Sequence, residues 1–405
     1  MSVLVKGGTV IDGTGVDPRR ADVFIENNRI DALSQGAKPT AERTIEVDGL
    51  TVLPGLIDAH CHFGLVNLSG RPVAAAVTAG EIFRNCALAL DAGFTTVRDT
   101  GGIDGGVATA VQLGLVRGPR IYPSGPLLCQ TGGHPDEGDP FAPFGHRHDA
   151  GVPGLAQMSL PCDGPAEVRL AARTVLRRGA SQVKVCVSGG VISFTDRVED
   201  AQFTVEELVA AVEEAAARDT YVTAHAHNVR GIRNGLAAGV ECFEHGTFLD
   251  AETAAAMAAA GAYLVPTFTV VRVFAERAED WGVPSSLVDR NEGVEEAMAR
   301  SLKLARDAGV VIGSGSDLIG SSQNDRGLEI SIRSSLEDPM TAIVSATAIN
   351  ARVLRRQGDI GTLEVGKLAD LIAVDFDPLT SPELFADPRH VRLVIKDGIV
   401  EKDTR

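Results

Sequence analysis

Four histidines, one lysine and one aspartate stand far apart in this chain, yet each sits at or near the end of an apolar run. The first two lie in Val52-Leu53-Pro54-Gly55-Leu56-Ile57-Asp58-Ala59-His60-Cys61-His62. This run reads as a buried strand, whose alternation sends the imidazoles of His60 and His62 to one side and Cys61 to the other. Lys184 is read as closing the apolar run Gln182-Val183-Lys184-Val185-Cys186-Val187, His225 ends Tyr221-Val222-Thr223-Ala224-His225, and His245 ends Glu241-Cys242-Phe243-Glu244-His245, so that each candidate ligand closes a strand. Asp317 ends Val310-Val311-Ile312-Gly313-Ser314-Gly315-Ser316-Asp317. A histidine pair alone is as readily structural. Four imidazoles with a carboxylate, all closing strands, suit a pair of divalent metal ions.

Lys184 is the odd member, because an ammonium with an ordinary pKa of about 10.4 donates only and cannot bind a cation. Burial beside metal favours the neutral amine, which can add carbon dioxide. The resulting carbamate offers two anionic oxygens, enough to bridge ions about 3.5 to 4 Å apart. The plainer alternative is a half-buried lysine paired with a carboxylate.

Residues at the ends of successive strands must be brought to one pole, and the arrangement that does this is an α/β, (β/α)8 TIM barrel with its site in the βα loops. Ala-rich helices alternate with the apolar strands, as in Thr204 to Ala217, whose opening Thr204-Val205-Glu206-Glu207 reads as a capping box. Residues 1–53 carry short β-like runs (Ser2 to Val5, Asp22 to Glu26, Thr44 to Glu46) between Gly, Asp and Asn turns, and residues 360–405 resume that style in Ala369 to Val374 and Val391 to Ile395. The two ends are expected to form one small β-sandwich domain beside a barrel spanning 54–359. Two stretches read as covers over the site. One is Pro135 to Pro161, with His146 and His148 taken as solvated loop residues; the other is Phe268 to Asn291 with Trp281, for which an amphipathic surface helix is the alternative.

With 405 residues, 44% of them apolar, the chain can bury a large core. No apolar run of about 18 residues occurs, and the opening lacks a charged segment followed by a long apolar one, so neither a membrane span nor a signal peptide is expected. Six scattered cysteines read as reduced thiols of a cytoplasmic protein. The 38 basic against 54 acidic residues leave a net charge of −16, which disfavours nucleic acid as a partner and serves solubility.

Several segments together resemble the amidohydrolase superfamily over nearly the whole chain. They are Val3-Leu4-Val5-Lys6-Gly7-Gly8-Thr9-Val10-Ile11-Asp12-Gly13, Pro54 through His62, Ala92-Gly93-Phe94-Thr95-Thr96-Val97-Arg98-Asp99, and Gly361 through Ile372. Gly132-Gly133-His134, Lys184 through Gly190, Glu244-His245-Gly246 and Pro266-Thr267 resemble the branch of binuclear dipeptidases and carboxypeptidases acting on Xaa-Pro, Xaa-Arg or other N-acyl amino acids, with hydrolases of ochratoxin and of phenylurea or carbamate herbicides among its relatives. The resemblance implies two ions, zinc above all. His60 and His62 would hold the more buried one, His225 and His245 the more exposed one, N6-carboxylated Lys184 the bridge, and Asp317 a ligand role combined with proton transfer. It also implies a homo-oligomer. Mononuclear deaminases of the superfamily carry Glu three residues after the fifth-strand histidine, where this chain has Asn228, and the imidazolonepropionase branch shows His-Ala-Glu-Gln where this chain reads His225-Ala226-His227-Asn228. Both departures argue against ring deamination or ring opening, in which that Glu handles protons.

The expected reaction is hydrolysis of the amide of a dipeptide or N-acyl amino acid by a hydroxide bridging the ions. Asp317 passes its proton to the leaving amine, and His134, in a Gly-rich loop, donates to the oxyanion. A free α-carboxylate calls for a guanidinium, and Arg230 and Arg326 are the candidates, the latter where relatives commonly show His-Gly and this chain has Arg326-Gly327; His227 is also placed to touch substrate. The same site acting on a non-peptide amide, carbamate, urea or lactone is the alternative. A catalytically silent metal-binding protein is the alternative from another class.

Overall fold

The computed structural model describes residues 2–34, 41–67, 73–136, 141, 151–152, 154–193, 195–281, 285–321 and 323–405. His146 and His148, and with them most of the first expected cover, lie outside these residues.

Val-rich segments that are buried on both faces form parallel strands, since such a segment finds no wet face to turn outward. Leu56–Cys61 pairs with Phe94–Asp99, which pairs with Arg120–Pro123. Leu127–Cys129 opens a second series through Val183–Cys186, Val222–Ala226, Cys242–His245, Tyr263–Val265 and Val311–Ile312. Every pairing in both series is parallel and follows chain order, and one further strand, Ser159–Pro161, pairs parallel on the outer side of Leu127–Cys129, out of chain order. Ser181 N donates to Pro123 O (2.7 Å) where the series meet, and at the far end Ala59 N donates to Ser314 O (3.0 Å) and Asp317 N to His60 O (2.7 Å).

Helices fill the crossovers between these strands, among them Gly164–Arg177, Val205–Ala216 and Val229–Ala238. Thr204 caps the second with the reciprocal bonds of a capping box to Glu207, as its sequence predicts. Leu208, Ala211, Ile232, Val185 and Phe243 share one apolar core between helices and strands.

The terminal segments build two further sheets. Ser2–Lys6 lies between Asp22–Glu26 and Arg43–Glu46, while Thr51–Pro54 pairs antiparallel with Leu371–Val374, so the two chain ends share a sheet. Val5, Ile25, Val52, Leu371 and Ile395 pack in one core of their own. No helix among the described residues is long and apolar enough to cross a membrane.

Candidate metal centre and active site

Asp58 anchors the floor of the site. Its Oδ1 accepts from the amides of His60 (3.1 Å) and Ser316 (3.0 Å), and its Oδ2 from the Ser316 hydroxyl (2.6 Å), so one carboxylate sets the backbone of two segments that carry candidate ligands. Gly315 makes the approach possible: a Cβ there would stand 2.4 Å from His60 Cβ. His245 (φ 67°) and Asp317 (φ 53°) both adopt the left-handed backbone that side chains other than glycine rarely hold. Such strain persists only where surrounding bonds enforce it, and it concentrates at functional sites.

The imidazoles are oriented from behind. His60 Nδ1 lies 2.7 Å from Glu244 Oε2, and His62 Nδ1 2.8 Å from Gly101 O. A carboxylate and a carbonyl only accept, so both histidines carry their proton on Nδ1 and turn bare Nε2 atoms inward. Those two atoms are 3.1 Å apart, with Asp317 Oδ1 3.3 Å from the first and 3.1 Å from the second. Three electron-pair donors thus converge, an arrangement that a cation placed among them would neutralise.

A second pair stands beside the first. His225 Nε2 is 3.3 Å from Gly189 O, which leaves Nδ1 bare, and that atom faces His245 Nε2 at 2.9 Å. His245 Nδ1 meets the Thr267 hydroxyl at 2.8 Å and Asp317 Oδ2 at 3.8 Å. Donor atoms of His60, His245 and Asp317 lie within 4.8 Å of one another, as do those of His225, His227 and His245. The four imidazoles, Lys184 and Asp317 therefore meet in one place. Lys184 is the second residue of a four-residue strand rather than its end.

Electrostatics match a site for metal. Burial, reinforced by the other imidazoles, holds His225 and His245 well below the ordinary histidine range, and neutral imidazole is the form that binds a cation. Burial opposes ionisation of Asp317, but His60 and His62 outweigh it and keep the carboxylate charged. At His62 burial opposes protonation and Asp317 favours it; the net shift is upward, so a proton competes for the place between them. Lys184 is 1% exposed, burial lowers its pKa, and its Nζ has no hydrogen-bond partner among the described residues. An orphaned buried amine costs free energy unless something completes it. The donor set fits divalent metal, and the amine is placed to complete it.

His134 tilts over His225, ring centroids 4.3 Å apart, with its amide donating to Gln202 Oε1 (3.0 Å). Burial and His227 bring its pKa down to about 3, so it is a neutral imidazole. His227 stacks on His245 at 4.8 Å, its Nδ1 is 2.7 Å from Thr247 Oγ1, and burial lowers its pKa to about 4. Arg230 is exposed in the first turn of helix Val229–Ala238, which follows the strand carrying His225.

Arg326 corrects one expectation. Its side chain is fully buried, its guanidinium is paired with Asp58 and bonded to Ser316 Oγ (3.1 Å) and Gln323 Oε1 (2.8 Å), and it lies over the Phe63 ring at 4.8 Å. A guanidinium so engaged has no free fork for a substrate carboxylate; it holds Asp58 instead. Phe268–Arg277 is a helix with Phe268, Val271 and Phe274 buried, and the Trp281 ring comes within 3.3 Å of the position a Cβ on Gly320 would take, beyond Asp317.

Sequence reasoning also passed over the bonds behind the ligands. Arg98 donates to Glu244 Oε1 (2.7 Å) and to Ala59 O (2.5 Å), and both Arg98 and Glu244 are fully buried. Burial alone would raise the Glu244 pKa, but Arg98, Lys184 and His60 outweigh it and hold the carboxylate ionised. Charged residues inside apolar strands, at Arg98 and Glu244, were the available signal.

Residues 51–400 match the model of the amidohydrolase family, and the chain belongs to that family. Ochratoxinase from Aspergillus niger is 32% identical over 412 residues, covering 98% of this chain and 85% of that protein. A solved prolidase in complex with N-methylphosphonate-L-proline is 34% identical, with a TM-score of 0.92 and full coverage (100%) of both chains. A Xaa-Pro dipeptidase structure with methionine in its active site is 32% identical, with a TM-score of 0.89 and 99% of each chain covered. The likeness extends the observed α/β arrangement to the TIM-barrel fold.

Proposed function

We propose that this member of the amidohydrolase family hydrolyses the amide bond of a dipeptide or N-acyl amino acid with two divalent ions, zinc foremost, in the cage just described. The observation that carries the reading is the convergence of His60 Nε2, His62 Nε2 and Asp317 Oδ1 within 3.1 to 3.3 Å, each histidine locked from behind by an acceptor. His60, His62 and Asp317 would hold one ion and His225 and His245 the other, with Lys184 as carbamate between them. When bound, such ions polarise a carbonyl and lower the pKa of water toward neutrality.

The chain's own groups do the rest. Asp317, kept ionised, accepts the proton of the attacking water and returns it to the nitrogen of the leaving amine, which otherwise departs as an unstable anion. His134, neutral and tilted over His225, donates to the developing oxyanion. His227 and Arg230 face the substrate. Support for a carboxylate-bearing amide comes from the prolidase with its proline phosphonate and from ochratoxinase, which align along nearly the whole chain. In this reading the parallel strands close into an eight-stranded barrel over residues 54–359, supported by the Ala59–Ser314 and Asp317–His60 bonds, and the terminal sheets of 1–53 and 360–405 form its sandwich. Six buried free thiols support a cytoplasmic location.

The test is a hydrolysis screen of Xaa-Pro and Xaa-Arg dipeptides, N-acyl amino acids and aryl carbamates on protein loaded with zinc and bicarbonate. Turnover of carboxylate-bearing amides is expected. Turnover confined to carbamates would overturn the substrate class, and no turnover with two ions bound would favour a silent metal-binding protein.

A further inference from the structure

Arg290, which follows the short helix Ser285–Asp289, reaches across to the segment that follows strand Val183–Cys186. Its Nη1 donates to Ser193 O (2.6 Å), and its Nη2 to Gly190 O (2.9 Å) and Asp196 O (3.0 Å). Three main-chain oxygens on one guanidinium is a use that a surface arginine seldom has, since water serves such carbonyls at no entropic cost. The Asp196 carboxylate works from within the same segment, accepting from Gly190 N (2.9 Å) and Ser193 Oγ (2.7 Å). Gly190 is thus held at both its N–H and its carbonyl.

What Gly190 touches gives the clamp its meaning. A Cβ there would stand 2.4 Å from His134 Nδ1 and 2.5 Å from Cε1, so the glycine backbone lies directly against that imidazole. The ring also lies against that of His225, with centroids 4.3 Å apart. Among the described residues His134 Nδ1 has no hydrogen-bond partner, so no bond from them at that atom orients the ring. Its orientation is set by packing between Gly190 and His225.

We propose that Arg290 is a positioning residue: by holding Gly190, Ser193 and Asp196 through their carbonyls it presses Gly190 against His134 and fixes that imidazole over the metal centre. Only the kinetic consequence rests on the function proposed above. The clamp itself stands without it. Misplacing a group by about 1 Å costs as much as a hundredfold in rate, so a mobile His134 would weaken oxyanion stabilisation while leaving ground-state binding nearly unchanged.

Arg290→Ala and Arg290→Lys, each loaded with zinc and bicarbonate, test this in two readouts. In the first, hydrogen exchange at the Gly189 and Gly190 amides is expected to speed up about tenfold or more in Arg290→Ala, less in Arg290→Lys, and to return toward the wild-type rate with millimolar ethylguanidinium but not ethylammonium. In the second, kcat on the best amide from the hydrolysis screen is expected to fall about tenfold or more with KM nearly constant and metal content unchanged, with the same selective rescue. Unchanged exchange in Arg290→Ala overturns the clamp, whatever the wild type hydrolyses. Faster exchange with unchanged kcat overturns the positioning role, as does a loss of rate that tracks loss of metal. If Arg290→Ala does not fold, Arg290→Lys is read alone, and wild-type exchange there counts against the proposal. A wild type that turns over no amide removes the proposed function, while the exchange measurement still decides the clamp.

Discussion

His60 Nδ1 and Glu244 Oε2 lie 2.7 Å apart in a fully buried pair, and the second oxygen of that carboxylate accepts from Arg98 at 2.7 Å. Glu244 therefore joins a buried cation to a candidate ligand of the metal centre. Glu244→Gln keeps the shape but removes the charge that balances Arg98, and an uncompensated buried charge costs about 3 to 5 kcal/mol. It also weakens the acceptor that fixes the His60 tautomer, a kind of change that costs metal affinity about 10- to 100-fold. The expected outcome is a lower denaturation midpoint together with weaker zinc binding in a chelator competition. Weaker folding with wild-type zinc affinity would reduce Glu244 to a structural partner of Arg98.

Lys184 makes a prediction of the opposite kind. Its amine has no partner among the described residues, so Lys184→Ala breaks no bond to them and should leave the fold standing, apart from the cavity it opens. Metal occupancy measured by elemental analysis should drop from close to two ions per chain, since four imidazoles, a carbamate and a carboxylate exceed what one tetrahedral ion uses. Short carboxylic acids should restore part of the metal and of the activity by standing in for the carbamate. Unchanged metal content in Lys184→Ala would show that the lysine is structural.

The strand-end residues were legible in the sequence because period-two alternation and a parallel sheet leave few places for His60, His225 and His245 to point. The five terminal strands named from sequence fall within a residue or two of those observed, each a short apolar run between turn residues, whereas Arg29–Ser34 and Ile399–Asp403, with charged residues in their runs, were not read. Arg326 was misread because its partner, Asp58, is 268 residues away; no local pattern tells a guanidinium bound for a buried carboxylate from one bound for substrate. Arg290 escaped for the related reason that it bonds main-chain oxygens, which carry no sequence signature.

Arg326 accordingly carries a stability prediction in place of a recognition one. Arg326→Ala leaves Asp58 buried with its charge unpaired, and a loss of about 3 to 5 kcal/mol in a denaturant titration is expected. KM for substrates with and without a free carboxylate should change in parallel. A selective rise in KM for carboxylate-bearing substrates, with stability intact, would restore Arg326 as a substrate residue.

Glu329 sets a pH dependence of folding. Its Oε2 accepts from Thr269 N (2.8 Å) and Oγ1 (3.0 Å), its Oε1 has no partner among the described residues, and burial pushes its pKa from 4.5 up to about 8 in spite of Arg333. A carboxyl whose folded pKa is raised favours folding fully below its unfolded value and loses that contribution as pH rises through the folded one. The window therefore runs from about pH 4.5 to about 8. Glu329→Gln, neutral throughout, should flatten the decline in stability across that window and be the more stable form at its upper end. Parallel curves for both proteins in urea unfolding between those pH values would mean that Glu329 is ionised in the folded protein.

Asp317 bears on the chemical step itself. Its Oδ1 stands 3.1 Å from His62 Nε2 and 3.3 Å from His60 Nε2, and its Oδ2 stands 3.8 Å from His245 Nδ1, so it touches both halves of the cage. Asp317→Asn retains an oxygen for metal but cannot take up a proton and return it. If proton transfer is its role, kcat on an amide falls by about a hundredfold or more, the scale of losing a general acid–base, while metal content falls much less. An active ester, whose leaving group departs without protonation, should lose less. Equal losses on amide and ester, accompanied by loss of metal, would make Asp317 chiefly a ligand. The proton would then travel through a neighbouring imidazole that the proposed metal set leaves free, His134 or His227, and the amide-to-ester comparison repeated on His134→Asn and His227→Asn would identify which.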